Sequence, residues 1–249
     1  MRRVKKRIFS GAVCEQVVYN VSDRGDVKKA KPQKPRFKDE AEREAHRIGI
    51  ARRRFIRLVN SNFTPAGFFA TLTLDAASEC HDFAAARILR KNYARRLLYK
   101  FPEAKIIIVM GRGRSTSRIH FHMLIEAEGL TAENVAAAWR DGSVIRIDHL
   151  REHNRYEGVD HGRDYTAVAS YMFEHWTTEQ GGHYAYCSRT LSQPEEETPR
   201  EIVREYTPDK PPVEPKGFRF VSCTWNRYGY MIFKYVKEDR KTPKRAACN

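Results

Sequence analysis

The sequence predicts an α+β domain, a central antiparallel sheet with helices on one face. Three observations carry that prediction. Residues 68–75 (FFATLTLD) alternate apolar and polar with period two, the signature of a half-buried strand. Leu89, Tyr93, Leu97 and Phe101 recur every four residues, the core stripe of a helix over 82–101. Two β-rich segments, 105–110 and 118–126, are joined by a short turn and predict a hairpin. Strands and helices interleaved in this order suit an antiparallel sheet covered by helices.

The elements follow in chain order. Residues 1–36 form a basic N-terminal arm, extended or partly strand-forming, with Lys28, Lys29, Lys31, Lys34 and Arg36 around Pro32 and Pro35. A helix is expected over 38–60. It opens on Asp39, Glu40, Glu42 and Glu44 and closes on Arg52, Arg53, Arg54 and Arg57, the polarity that complements the helix dipole. In the strand that follows, Phe68, Ala70, Leu72 and Leu74 share one face, and Phe69, Thr71, Thr73 and Asp75 the other. The helix over 82–101 turns Arg87, Arg90, Lys91, Arg95 and Arg96 away from its stripe, and Pro102 ends it. The hairpin carries a basic tip, Arg112 and Arg114. A helix over 131–139, a strand over 143–147 and a helix over 164–179 come next, the last stopped by Gly181 and Gly182. Residues 195–216, rich in Pro and Glu, read as a linker or loop, and residues 217–249 as a C-terminal β pair with a basic tail.

Charge narrows the partner. The 249 residues hold 46 Lys and Arg against 31 Asp and Glu, a formal net charge of +15. Such an excess steers polyanions, nucleic acid first and an anionic membrane second. No apolar run approaches the roughly 20 residues that span a bilayer, and no signal-peptide apolar region follows the basic start. The five cysteines form no C-x-x-C pair, which argues against a disulfide framework or a zinc ribbon and for a reducing cytoplasm.

The chemistry centres on Arg118-Ile119-His120-Phe121-His122-Met123. On a strand, residues two apart face the same way, so His120 and His122 can offer both imidazoles to one ion. Ile119, Phe121, Met123 and Ile125 then face a core. Two neutral imidazoles suit first-row divalent metals, and Mn²⁺ or Mg²⁺ fits where oxygen ligands complete the shell. Taken alone, H-x-H is a weak signal.

Its context is distinctive. Phe69-Ala70-Thr71-Leu72-Thr73, then the His120/His122 strand, then the tyrosine helix Ala167-Val168-Ala169-Ser170-Tyr171-Met172-Phe173 resemble the three motifs of the HUH endonuclease superfamily. The likeness is closest to rolling-circle replication initiators of bacterial plasmids and phages. Asn60-Ser61-Asn62-Phe63 and Ser188-Arg189-Thr190-Leu191 with Pro194 add to it. The resemblance covers roughly residues 40–195 and implies that 37–194 form an endonuclease domain with a ferredoxin-like palm. It further implies a bound divalent metal, Mn²⁺ or Mg²⁺, and a covalent DNA–protein intermediate through Tyr171. The partner it implies is single-stranded origin DNA, with a hairpin among the possible forms, and a host helicase and polymerase act alongside in the bacterial cytoplasm. No P-loop is present, so any unwinding comes from a partner.

Two departures stand out. An acidic third ligand common in the family, about ten residues before the first histidine, would fall near Met110. A lysine three residues past the tyrosine is replaced by Glu174. Helical spacing turns Tyr171, Glu174, His175 and Thr178 to one side, and Tyr165, Met172 and Trp176 to the sheet. His175 is therefore the expected third ligand, with Glu174 the alternative. Single-domain transposases of the superfamily resemble this arrangement, with a polar ligand four residues after the tyrosine. Tyr165 is the competing nucleophile, on the packing side. Thr71 and Thr73 are candidate phosphate contacts or supports of the metal shell, and Arg112, Arg114, Arg118 and Arg189 candidate DNA contacts. His81, His149, His153, His161 and His183 carry no assigned chemistry beyond loop contacts or a helix cap. Three other readings stay open: a transposase or relaxase of the same superfamily, a non-catalytic nucleic-acid-binding module, and a two-histidine phosphoesterase. The last would want a second H-x-[ST] motif, which is absent.

Overall fold

A computed structural model describes residues 2–22, 37–75, 82–112, 118–142, 144–156, 158–175, 185–226 and 229–238. Outside them lie the lysines and prolines of 28–36, His81, Arg114, Trp176, Thr178, Gly181, Gly182 and His183. The chain is mixed α+β with antiparallel sheets. It divides into two compact units, one of residues 1–50, 153–164 and 194–249, the other of 51–152 and 165–193.

The first unit is built on a hairpin, β1 (Arg2–Ser10) and β2 (Val13–Val21). Gly11 turns the chain between them at φ 58°, a backbone that L side chains rarely adopt. The helix α1 (Glu40–Asn62) begins in this unit and runs on into the second. Residues 153–164 add a small hairpin of β7 (Arg155–Tyr156) and β8 (Val159–Asp160). Short strands β10 (Glu195–Glu196) and β11 (Arg200–Ile202) pair with β1. The last pair, β12 (Phe218–Trp225) and β13 (Met231–Lys237), joins β2, giving the order β10-β1-β2-β13-β12 with β11 also on β1.

The described part of the basic arm is therefore sheet, and it pairs with the C-terminal strands rather than extending freely. Its alternation explains this. Val4 and Ile8 face one core with Val17 and Tyr19, while the charges of Arg3, Lys5 and Arg7 mask the strand in a count of composition. The loop expected over 195–216 contributes two of the strands for a different reason: they are short and mostly exposed, so their backbone pairing leaves no apolar pattern.

The second unit carries the predicted sheet. Its strands are β3 (Phe68–Thr73), β4 (Lys105–Arg112), β5 (Ile119–Glu126), β6 (Val144–His149) and β9 (Ala185–Cys187). Helix α2 (Phe83–Lys100) links β3 to β4, α3 (Ala132–Ala138) links β5 to β6, and α4 (Thr166–Glu174) precedes β9. Strand order is β6-β3-β5-β4-β9, antiparallel throughout. Helix starts follow their caps. Asp82 accepts the Ala85 N–H into its carboxylate at 2.8 Å, and Thr131 with Asn134 forms a reciprocal capping box.

Helices cover both faces of this sheet, which corrects the one-face expectation. Phe68, Ala70, Leu72, Ile106, Ile108, Phe121 and Met123 pack against Phe83, Tyr93 and Leu97 of α2 and Val135 of α3. Ile107, Val109 and Leu124 pack the other way, against Phe55 and Val59 of α1 and Ala169 and Met172 of α4. The unbroken apolar run of β4 demands this, since burying each Ile or Val is worth about 1.5–3 kcal/mol and alternate residues face opposite sides. Arg90, expected to point outward, is 9% exposed: the helix lies deep enough for that position to be covered. Among the described residues no helix is long and apolar enough to cross a membrane.

Candidate metal centre

The α1/α4 face of the second sheet carries the histidines. Period two sends Ile119, Phe121, Met123 and Ile125 into the α2 core and turns His120 and His122 to the opposite side. There they meet the end of α4. His120, His122 and His175 bring their nearest ring nitrogens within 4.8 Å of one another. Ring centroids lie 4.7 Å apart for His120 and His122, 4.9 Å for His122 and His175, and 5.9 Å for His120 and His175. This cluster can hold a metal ion.

Two of the rings, His175 and His122, are held in orientations that favour ligation. His175 donates its Nδ1–H to the carbonyl of Tyr171 at 2.9 Å, which fixes the tautomer and leaves the Nε2 lone pair outward. His122 is 1% exposed, and its Nδ1 is hydrogen-bonded to the Thr71 hydroxyl at 3.2 Å. Its Nε2 is buried and has no hydrogen-bond partner. A buried polar atom normally costs about 1–3 kcal/mol when unpaired, so an unpaired imidazole nitrogen beside two other imidazoles suits a metal ligand.

The protonation states agree. Burial, then the charges of His120 and His175, pushes His122 down to about 3. Burial also lowers His120, with His175 adding to the effect and the Arg118 backbone opposing it. Both imidazoles are neutral at pH 7 and present lone pairs rather than protons.

Tyr171 stands beside this cluster, 43% exposed. Its ring centroid is 4.2 Å from that of His175 and 4.9 Å from that of His122. Phe69 completes the wall, stacked on His122 at 5.8 Å and edge-on to Tyr171 at 6.1 Å. Tyr165, by contrast, is 1% exposed in the core between the sheet and α4. The helix is anchored from α1: the side-chain oxygen of buried Asn60 accepts the Tyr165 N–H at 2.8 Å, at the N-cap of α4. Asn62 does similar work for the chain after β9, accepting the Ser192 N–H at 2.7 Å and donating to the Ser192 carbonyl at 2.8 Å.

The remaining candidates divide. Thr71 and Thr73 lie opposite His122 and His120 in the β3–β5 register, Thr71 in direct contact with its partner. Glu174, the alternative ligand, stands outside the cluster; it is ion-paired with Arg52 at 2.8 Å, on a neighbouring helix it can reach without bending toward the sheet. Arg118 lies just before β5. Arg112 turns to the other face, its guanidinium 5.1 Å from the centre of the Phe83 ring, because it follows Gly111 by one residue and the strand alternates. Arg189 is exposed after β9, which pairs with Ile107–Val109 of β4 and leaves it at its Ile106 side; Ile106, beside Ser188, is five residues and about 16 Å along the strand from Gly111, the partner of His120. Ser188 and Thr190 serve the fold there, Ser188 accepting the Ile106 N–H at 2.9 Å and Thr190 donating to the Ala104 carbonyl at 2.8 Å.

Two positions escape a reading of the sequence. Phe69 falls on the polar face of β3, where alternation gives it no role. Gly111 reads in the sequence as the start of the turn after 105–110, whereas β4 runs on to Arg112 and places the glycine inside the strand, where close approach is its use. Compared with models of protein families, with curated proteins and with solved structures, the chain matches none.

Proposed function

We propose that this chain is a metal-dependent nuclease and strand transferase that nicks and rejoins single-stranded DNA through Tyr171, of the rolling-circle initiator type. The observation that carries the proposal is the sharing of one short helix by the nucleophile and a metal ligand. Tyr171 and His175 lie one turn apart on α4, both against His122. Further support comes from the connectivity β3-α2-β4-β5-α3-β6 with order β6-β3-β5-β4, which suits the palm the resemblance implies. The +15 charge suits a polyanionic substrate.

His120, His122 and His175 would hold the ion. Three imidazole nitrogens with no carboxylate among them favour Mn²⁺ over Mg²⁺, which prefers oxygen, and three protein ligands would leave room for water or phosphate. A bound divalent cation supplies charge neutralisation at the phosphate and a template that orients it. The protein's own residues do the rest. Tyr171 gives up its phenolic proton to solvent, and its oxygen attacks phosphorus in line. A Tyr–O–P bond forms as the P–O3′ bond breaks, and the departing 3′ oxygen takes up a proton. The products are a 5′-phosphotyrosine and a free 3′-hydroxyl able to prime synthesis. Reverse attack by a 3′-hydroxyl restores the phosphodiester without an outside energy source. The hydrogen bond from His175 to the Tyr171 carbonyl keeps helix and ligand in register while this happens.

A second reading shares the chemistry and changes its use. The third ligand four residues after the tyrosine suits a transposase-type strand transferase of the same superfamily, in which the freed end is joined to another DNA end. Labelled single-stranded oligonucleotide pools with Mn²⁺ test both. Wild type is expected to yield a denaturant-resistant adduct and Tyr171→Phe none. Extension of the 3′ end by a polymerase supports the initiator; joining to a second strand supports the transferase. Intact DNA binding without cleavage by wild type would remove the proposal in favour of a non-catalytic binding module.

A further inference from the structure

We infer that Gly111 is the positioning residue of the three-histidine centre, the place where a missing side chain lets His120 and the end of α4 share one ion. The inference rests on the metal reading above. Gly111 lies directly opposite His120 in the β4–β5 register and is buried. A Cβ at 111 would stand 2.9 Å from His120 Nε2, 3.4 Å from its Cε1 and 3.0 Å from the carbonyl oxygen of His175. One methyl group would thus press on the first ligand's ring and on the backbone that carries the third.

The backbone does not ask for glycine there. Gly111 is not among the glycines with positive φ, and glycine inside a strand weakens it through lost side-chain packing and greater unfolded-state freedom. Nothing local repays that weakening, whereas the approach of two ligand-bearing groups does. The two obstacles also differ in how they give way. The His120 ring is the end of a side chain and can swing by a few tenths of an ångström at little cost. The His175 carbonyl belongs to backbone at the end of a packed helix. A methyl at 111 would therefore displace the imidazole rather than the strand: cheap for the fold, costly for coordination, which tolerates only about 0.2 Å in ligand distance.

The test uses the whole chain and Co²⁺, whose visible absorption reports ligand geometry. Wild type and Gly111→Ala are titrated with Co²⁺, and both are unfolded thermally in EDTA. Gly111→Ala is expected to lose about tenfold or more in Co²⁺ affinity with an altered spectrum, while its midpoint in EDTA stays within a few degrees of wild type. Should the variant be too unstable to titrate, the His120→Ala background decides. There the ring is gone and only the His175 carbonyl stays close to the methyl, so the thermal penalty of Gly111→Ala is expected to shrink. Unchanged affinity and spectrum in Gly111→Ala, or an equal penalty in both backgrounds, would overturn the role of Gly111 alone. A wild-type chain that takes up no Co²⁺ would overturn the metal reading and this inference together.

Discussion

His122 carries the site at the scale of single residues, because its surroundings decide both its charge and its free nitrogen. Thr71 occupies Nδ1, Phe69 stacks on the ring, and Nε2 is left unpaired. A residue that orients a ligand in this way usually accounts for 10–100-fold of metal affinity. Thr71→Val is therefore expected to weaken Mn²⁺ binding by about that factor, measured by calorimetry, with the fold retained. The same burial sets a pH dependence in the metal-free protein. With the folded-state value of His122 pushed down to about 3 and the unfolded one near 6.5, the unfolded chain binds more protons between these limits. The contribution of His122 is fully present above pH 6.5 and is lost as pH falls toward 3. Urea midpoints in EDTA at pH 7.5 and 4.5 should fall for wild type and fall less for His122→Phe.

Helix α4 is the element on which chemistry and packing meet, and its position depends on α1. Asn60 reaches from α1 to the Tyr165 N–H, both buried, so Asn60→Ala leaves a donor unpaired. The expected loss is about 1–3 kcal/mol in urea unfolding, with Mn²⁺ affinity reduced as well because His175 rides on the same helix. An unchanged stability would show that the bond is not a tether. Much of this element was legible beforehand. The packing side of Tyr165 and Met172, and the outward turn of Tyr171 and His175, follow from helical spacing alone. Strand β3 and helix α2 follow from their own apolar periods, and the β4–β5 hairpin from two β-rich segments around a short turn. What spacing hides is the partner across space. Asn60 and Phe69 carry no periodic signal that marks them as neighbours of α4, and Glu174 looks like a ligand until Arg52 is seen beside it.

For the molecule as a whole, the order β3-α2-β4-β5-α3-β6-α4 in the second unit was readable, and strand β9 and the two-sided covering of the sheet were not. The run Ile106-Ile107-Ile108-Val109 held the clue, since a strand buried on one face alternates and this one does not. The first unit was harder still: its β1–β2 hairpin is written in a segment whose net charge outweighs its alternation. That charge bears on binding. An excess of +15 predicts that affinity for a single-stranded oligonucleotide falls steeply with salt, log K against log salt having a slope of about −0.7 per phosphate neutralised. A flat dependence would remove nucleic acid as the partner.

The central claim joins a metal held by three histidines to a nucleophile on the same helix, and peptide mapping of the covalent adduct tests it most directly. After reaction with Mn²⁺ and digestion, mass spectrometry should find a nucleotide on Tyr171, absent in EDTA and absent in His122→Ala. A nucleotide on Tyr165 or another residue, or one on Tyr171 that forms equally well without the ion or without His122, would contradict the account.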